Sequence, residues 1–239
     1  HVVIDDLMPT ADAQKCVSEM GEFHLWGHDN SDYIKTKQVD KFFTPWCNDN
    51  IVDVKRDMPT VWEYLQYFNS QPFLTELEYL TGIKDLIADD TFAGGGVHKT
   101  LSDGKLSIHT DFSKHPTLDL DRRINVLIYL NKNWKQEYGG DLELWDKEMK
   151  FCGKKIEPIY NKMVIFSTND FSNHGHPELI KCPENISRKS IALYYFSKGR
   201  PATEIDINNI KNKTYFKNRK GFDNEINNKN ETVKNYFRK

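Results

Sequence analysis

From about Thr91 to Phe196 the chain breaks into short apolar runs separated by turn residues, and this repeated switch leaves few architectures open. "VHKTL" and "KLSIHTDF" flank Ser102-Asp103-Gly104, a hairpin signal, and "RINVLIYLN", "DLELWD", "KIEPI", "KMVIFS" and "KSIALYYF" follow. Each run has strand length, and each gap carries residues that suit a reversal. The pattern predicts an all-β sandwich or jelly roll. "INVLIYL" is apolar without alternation, so its strand is expected to be covered on both faces.

Residues 1 to 90 read differently. After a short strand at Val2 to Ile4, helices are expected from near Thr10, after Pro59 in "MPTVWEYLQYFNS", and in "PFLTELEYLTG", the last closed by Gly82. Trp62, Leu65 and Phe68 recur at helical spacing and define a packing face rather than a cofactor box. With 239 residues, 38% of them hydrophobic, the chain can bury a substantial core. The expected organisation is one domain over 1–207, with 1–90 as mostly helical support and 91–200 as the β core, followed by an Asn/Lys-rich extension at 208–239.

Charge separates these parts. Residues 208–239 hold nine Lys or Arg against three Asp or Glu, a net +6, so the first 207 carry −8 of the total of −2. Such a stretch either touches an acidic partner or packs as a solvated basic helix through Val233, Tyr236 and Phe237. The second reading is preferred, and no nucleic-acid partner is expected. No apolar run reaches the roughly 20 residues of a membrane span, so no membrane partner is expected either. Cys16, Cys47, Cys152 and Cys182 are scattered without a CxxC pair, which points to reduced thiols and a cytoplasmic setting. The sequons at Asn185, Asn212 and Asn230 are expected by chance in an Asn-rich chain. "AGGGV" is not followed by the Gly-Lys-Ser/Thr start of a phosphate-binding helix, so its glycines predict close backbone approach or a lid.

The chemistry is carried by histidines and one acid. In "LSIHTDFSKHP", His109 and Asp111 are two apart on a predicted strand and project to one face, while Thr110 faces away. An HxD pair alone says little. "FSTNDFSNHGHPELIKCP" offers a third ligand, His174 or His176. Two imidazoles and a carboxylate form the facial triad that holds non-haem Fe(II) and leaves coordination positions open, whereas a structural zinc site would close its tetrahedron with a further ligand. Arg188 opens the apolar strand "KSIALYYF", where a guanidinium calls for an anionic partner such as a carboxylate co-substrate, unless it is an exposed solubilising charge.

Read together, "LSIHTDFSKHP", "RRINVLIYLNKNW", "YGGDLELWD" and "NHGHPELIKCPENISRKSIALYYF" resemble the Fe(II)- and 2-oxoglutarate-dependent dioxygenases, in the prolyl-4-hydroxylase-like branch, over about residues 91 to 200. The resemblance implies a double-stranded β-helix, a cupin-like jelly roll with helices packed outside. It implies that His109, Asp111 and His174 are the catalytic iron ligands, His174 being the histidine followed directly by Gly, with His176 the alternative or a pocket-lining residue. It further implies that Arg188 and Tyr129 hold the distal carboxylate of 2-oxoglutarate. The gap from His174 to Arg188 leaves room for a loop, "ELIKCPENIS". His115, Asn125 and Trp145 are expected in hydrogen-bonding, packing or wall positions, although alternation turns Asn125 the same way as Tyr129.

The activity implied is oxidative decarboxylation of 2-oxoglutarate to succinate and CO2 by Fe(II) and O2, with ascorbate as a candidate reductant, coupled to hydroxylation of an unactivated C–H bond. Members of that family that halogenate lack the carboxylate, so Asp111 points to hydroxylation. The branch implies a prolyl residue in a protein or peptide as substrate. The alternatives are free proline, another small molecule or a glycan, and, outside catalysis, a jelly-roll binding module.

Overall fold

The computed structural model describes residues 1–24, 38–40, 48–207 and 212–219. Four helices precede most of the strands: α1 (Thr10–Glu22), α2 (Asn48–Asp57), α3 (Pro59–Phe68) and α4 (Gln71–Thr81). Both α3 and α4 carry proline in the first turn, where a missing N–H costs nothing. The strands are β1 (Val2–Ile4), β2 (Gln38–Asp40), β3 (Ile87–Ala88), β4 (Gly96–Thr100), β5 (Leu106–Thr110), β6 (Asp121–Tyr129), β7 (Leu142–Trp145), β8 (Cys152–Ile156), β9 (Lys162–Ser167), β10 (Asn173–His176), β11 (Arg188–Ser197) and β12 (Tyr215–Phe216). They form two antiparallel sheets in a jelly roll that does not close into a barrel. The seven-stranded sheet runs β1-β9-β6-β11-β4-β2 with β3 on β11, and the five-stranded sheet runs β12-β5-β10-β7-β8.

Alternation along the central strands decides what each face of the larger sheet does. Ile124, Val126 and Ile128 of β6, Met163 and Ile165 of β9, and Ile191, Leu193 and Tyr195 of β11 pack against Ala13, Cys16 and Met20 of α1 and Val61, Leu65 and Phe68 of α3. The helical stripe is thus Val61-Leu65-Phe68, with Trp62 on its flank, edge-on to Phe92 at 6.3 Å. The residues between them, Asn125, Leu127 and Tyr129, turn toward the smaller sheet, where Tyr129, Leu142, Ile156, Val164 and Phe166 make a second apolar cluster. Both faces of β6 are therefore covered, as its uninterrupted apolar run predicts.

Three features depart from the sequence reading. β4 and β5 are not a hairpin: β4 pairs with β11 and β2, β5 with β10 and β12. Asp103 does adopt a turn conformation, with φ of 60°, and Gly104 N–H bonds Leu101 O at 3.0 Å, but the turn sends the chain across to the opposite sheet. A turn signal fixes a reversal and not the destination of the next strand. Second, His174 and His176 lie on a strand of their own, β10. Third, Tyr215 and Phe216, within the stretch read as an extension beyond 207, add the edge strand β12 to the smaller sheet. The helix expected at Val233 to Phe237 lies outside the described residues, as do Cys47 and Asn230. Cys16, Cys152 and Cys182 are free. Among the described residues no helix is long and apolar enough to cross a membrane.

Candidate active site

His109 and His174 are directly opposed across the β5–β10 ladder, and Asp111 lies just beyond the end of β5. Asp111 Oδ1 is 3.4 Å from His109 Nε2, Oδ2 is 3.3 Å from His174 Nε2, and one donor atom from each of the three lies within 4.8 Å of the others. Bonds of about 2.1 Å to adjacent positions of one ion place donors roughly 3 Å apart, so this spacing suits a shared metal. Both imidazoles are oriented alike: His109 Nδ1 is 2.9 Å from Ser107 O and His174 Nδ1 is 3.0 Å from Ser172 O, each the carbonyl two residues earlier. If each Nδ1–H donates there, both Nε2 atoms face the cluster as lone pairs, the usual outer support of a metal-binding histidine.

Close packing underlies the pairing. A Cβ on Gly175, between the two β10 histidines, would lie 2.7 Å from Leu106 O and 2.8 Å from Ser107 O, so only glycine lets the β10 backbone come this near β5. Phe166 meets the His174 ring at 4.9 Å and Phe216 of β12 meets the His109 ring at 5.5 Å.

Electrostatics keep His109 and Asp111 in binding-competent states. Burial, then the neighbouring His174, pulls the His109 imidazole below its ordinary 6.5. Burial alone would raise the Asp111 carboxyl, but Arg122 above all, with His174 and His109, holds it well below the ordinary range. The donor set is two imidazoles and one carboxylate, and no further His, Cys, Asp or Glu joins them among the described residues. This suits Fe(II) with open positions.

His176 does not join the cluster. It shares the inward face of β10 with His174 and is buried, and its Nδ1 has no partner among the described residues. Burial and the positive Arg188 push it well below 6.5.

Across from it, Arg188 opens β11 and is only 6% exposed, which rules out the solubilising reading. Its Nε donates to Gly140 O at 2.8 Å and its Nη2 to the Tyr129 hydroxyl at 3.3 Å, and no carboxylate pairs with it among the described residues. Tyr129 is fully buried, and burial raises its pKa against the opposing effect of Arg188, so its O–H remains available to donate. A buried guanidinium with a phenol and no acid could hold an anion. Gly140, at φ of 78°, is part of its frame, since a Cβ there would come within 3.0 Å of Arg188 Cδ. The loop "ELIKCPENIS" is packed down by Ile180 and Cys182 against Tyr138, beside the same turn.

The remaining sequence candidates lie elsewhere or do something else. His115 Nδ1 accepts from Thr117 and Leu118 N–H, and its other nitrogen stands 3.3 Å from Asp89, so it serves the structure of its loop. Trp145 donates to Glu143 at 2.8 Å. Asn125 reaches Asp111 rather than Arg188, its Nδ2 donating to Oδ2 at 2.8 Å. Sequence reasoning did not find Arg122, whose Nη2 lies 2.9 Å from the same carboxylate oxygen. The only signal for it is the pair Arg122-Arg123 inside an apolar strand, a placement that demands partners.

The chain is similar to several known proteins. Residues 95–196 match the model of the 2OG-Fe(II) oxygenase superfamily. Over 91 residues the chain is 34% identical to prolyl 3-hydroxylase OGFOD1 of Mus musculus, a match that takes in 36% of this chain and 16% of that protein. A solved prolyl 4-hydroxylase from Phytophthora capsici superposes with a TM-score of 0.52 at 18% identity, covering 82% of this chain and 58% of that one. HygX from Streptomyces hygroscopicus, with nickel and 2-oxoglutarate bound, gives 0.53 at 11% identity, covering 90% and 91%. At these identities the structural likenesses are likenesses of fold.

Proposed function

We propose, from the match of residues 95–196 to the 2OG-Fe(II) oxygenase superfamily, that the protein is an Fe(II)- and 2-oxoglutarate-dependent hydroxylase acting on a prolyl residue in a protein or peptide. The observation that carries the reading is a pair of unlike buried groups: His109, Asp111 and His174 at the smaller sheet, and Arg188 with Tyr129 on the larger one. His109, Asp111 and His174 would hold the iron, and Arg188 with Tyr129 would hold the far carboxylate of 2-oxoglutarate. Iron bound there supplies the oxidising chemistry, turning 2-oxoglutarate and O2 into succinate and CO2 while one oxygen enters the substrate C–H bond.

The chain's own contributions follow from these contacts. The bonds from Nδ1 to Ser107 and Ser172 hold two Nε2 lone pairs toward one point. The planar fork of Arg188 fixes a carboxylate in one orientation, and Tyr129 adds a donor. Phe166, Val164, Leu142 and Ile156 pack with Tyr129 and would keep water from that side of the site.

The prolyl substrate is supported by the 34% identity with prolyl 3-hydroxylase OGFOD1, although the match spans only 16% of that protein. A second reading, a small-molecule substrate, is favoured by HygX with nickel, 2-oxoglutarate and hygromycin B bound, which superposes at a TM-score of 0.51 over 94% of its chain. We take the catalytic unit as a single domain over 1–207, extended by β12. The test is anaerobic titration with Fe(II) and 2-oxoglutarate, followed by aerobic succinate release with proline-containing peptides, free proline and aminoglycosides. A peptide that gains one oxygen in step with succinate supports the prolyl reading. Coupling only to a small molecule replaces it, and absence of 2-oxoglutarate binding removes the enzyme assignment.

A further inference from the structure

The Asp111 carboxylate is held from behind. Oδ2 lies 2.9 Å from Arg122 Nη2 and accepts from Asn125 Nδ2 at 2.8 Å. Arg122 is fixed in turn: its Nε and Nη2 donate to Asn125 Oδ1 at 3.0 and 2.7 Å, and its guanidinium carbon stands 3.4 Å from the Tyr194 ring centre and 4.5 Å from that of Phe112. Arg122 and Asn125 are both almost fully buried, so neither donor can be replaced by bulk water. A carboxylate oxygen has about two lone-pair directions, and on Oδ2 both are taken by these fixed donors. Oδ1 lies 3.4 Å from His109 Nε2 and takes no bond from Arg122 or Asn125, while Oδ2 also stands 3.3 Å from His174 Nε2.

We infer that Arg122 and Asn125 are positioning residues that make Asp111 a one-oxygen ligand, holding Oδ2 on their own donors and leaving Oδ1 for the metal. The consequence is functional. A carboxylate that swung round to bind through both oxygens would occupy a coordination position that a chelating keto acid and dioxygen need. The Tyr194 and Phe112 rings hold the guanidinium plane, so the constraint rests on packing as well as on charge. Lysine could not replace this arginine, because a single ammonium cannot bridge Asp111 and Asn125 with the same geometry. This inference rests on the iron-site reading above, and the experiment separates the two.

Co(II) serves as the probe, bound to the full metal-free chain and followed by its visible d–d absorption. Arg122→Lys, Arg122→Gln and Asn125→Leu are each expected to weaken Co(II) binding about ten- to a hundredfold, to alter the d–d spectrum, and to weaken 2-oxoglutarate binding to the Co(II) form. In an Asp111→Ala background, Arg122→Gln is expected to change Co(II) affinity by less than about twofold, because its target is gone. Asn125→Leu keeps the test open if the Arg122 variants do not fold. Folded variants that bind Co(II) like the parent with an unchanged spectrum overturn the inference, as does an equal loss from Arg122→Gln with and without Asp111. If the parent binds Co(II) no better than Asp111→Ala does, the iron-site reading itself fails.

Discussion

His109 and His174 are cross-strand partners whose rings stand 4.5 Å apart at 51°, each tied through Nδ1 to the carbonyl two residues before it. Neither ring can turn away without breaking that bond inside a buried site. Removal of either imbazole nitrogen set, by His109→Ala or His174→Ala, is expected to lower Fe(II) affinity by more than about a hundredfold and to abolish the visible band of the anaerobic Fe(II)–2-oxoglutarate complex. His176→Ala is expected to keep the band. Loss of the band in His176→Ala with retention in His174→Ala would reassign the distal ligand.

Arg188 is the one buried cation facing Tyr129, and it lacks an acid partner among the described residues. Arg188→Ala is expected to weaken 2-oxoglutarate binding by about 2 kcal/mol or more, roughly thirtyfold in Kd, and Tyr129→Phe by about 0.5–1.5 kcal/mol. Calorimetric titration of the metal-loaded protein reads both. An unchanged Kd in Arg188→Ala would remove that residue from the anion site.

Gly140 couples backbone shape to the same arginine. Its φ of 78° and the 3.0 Å approach to Arg188 Cδ mean that Gly140→Ala both strains the turn and pushes the side chain. A loss of about 1–2 kcal/mol in unfolding free energy is expected from the left-handed backbone alone, with a weaker hold on 2-oxoglutarate. Urea unfolding and ligand titration measure the two separately.

The metal-free protein should be acid-sensitive in a defined window. His109 and His176 titrate lower in the folded chain than the ordinary 6.5, so as pH falls through that value the unfolded chain takes up protons that the native state refuses. Stability therefore declines with falling pH, and the urea midpoint is expected to drop between about pH 7.5 and 5.5. Asp111, depressed well below 3.8, acts with the same sign at lower pH, its contribution being present above 3.8 and lost as its folded pKa is approached. His176→Phe is expected to flatten the upper part of the profile. A midpoint that rises on acidification would contradict these protonation states.

β12 tests where the catalytic unit ends. Phe216 pairs with His109 and covers its ring, and Lys217 N–H bonds Ile108 O at 2.7 Å. Phe216→Ala is expected to cost about 1 kcal/mol of stability, half-buried as the ring is, and to weaken metal binding. Truncation after Ile207 is expected to do more. Full metal affinity in the truncated chain would place the boundary at 207.

Much of this was legible in the sequence, because it rests on relations between near neighbours. The period switch near Thr91 marks the β region, the apolar faces of α1, α3 and α4 follow from helical spacing, and the HxD pair at His109 and Asp111 needs only strand alternation to share a face. His174, Arg188 and Tyr129 are picked by resemblance; His174 lies beside His109 and Asp111, and Arg188 beside Tyr129.

What the sequence could not decide depends on register and on crossing between sheets. The turn at Ser102 to Gly104 reads the same whether β5 returns beside β4 or crosses to the facing sheet, and only packing against β10 and β12 settles it. Arg122 was hidden by parity. Strict alternation would put Arg122 and Asn125 on opposite faces of β6, but the ladder with β11 steps from Tyr195↔Ile124 to Phe196↔Arg122, so a one-residue bulge at Arg123 turns Arg122 inward beside Asn125 and Asp111. The chain by itself determined which residues could bind metal and anion; the tertiary structure determined which of them meet, because a single extra residue in one strand reverses every face that follows it.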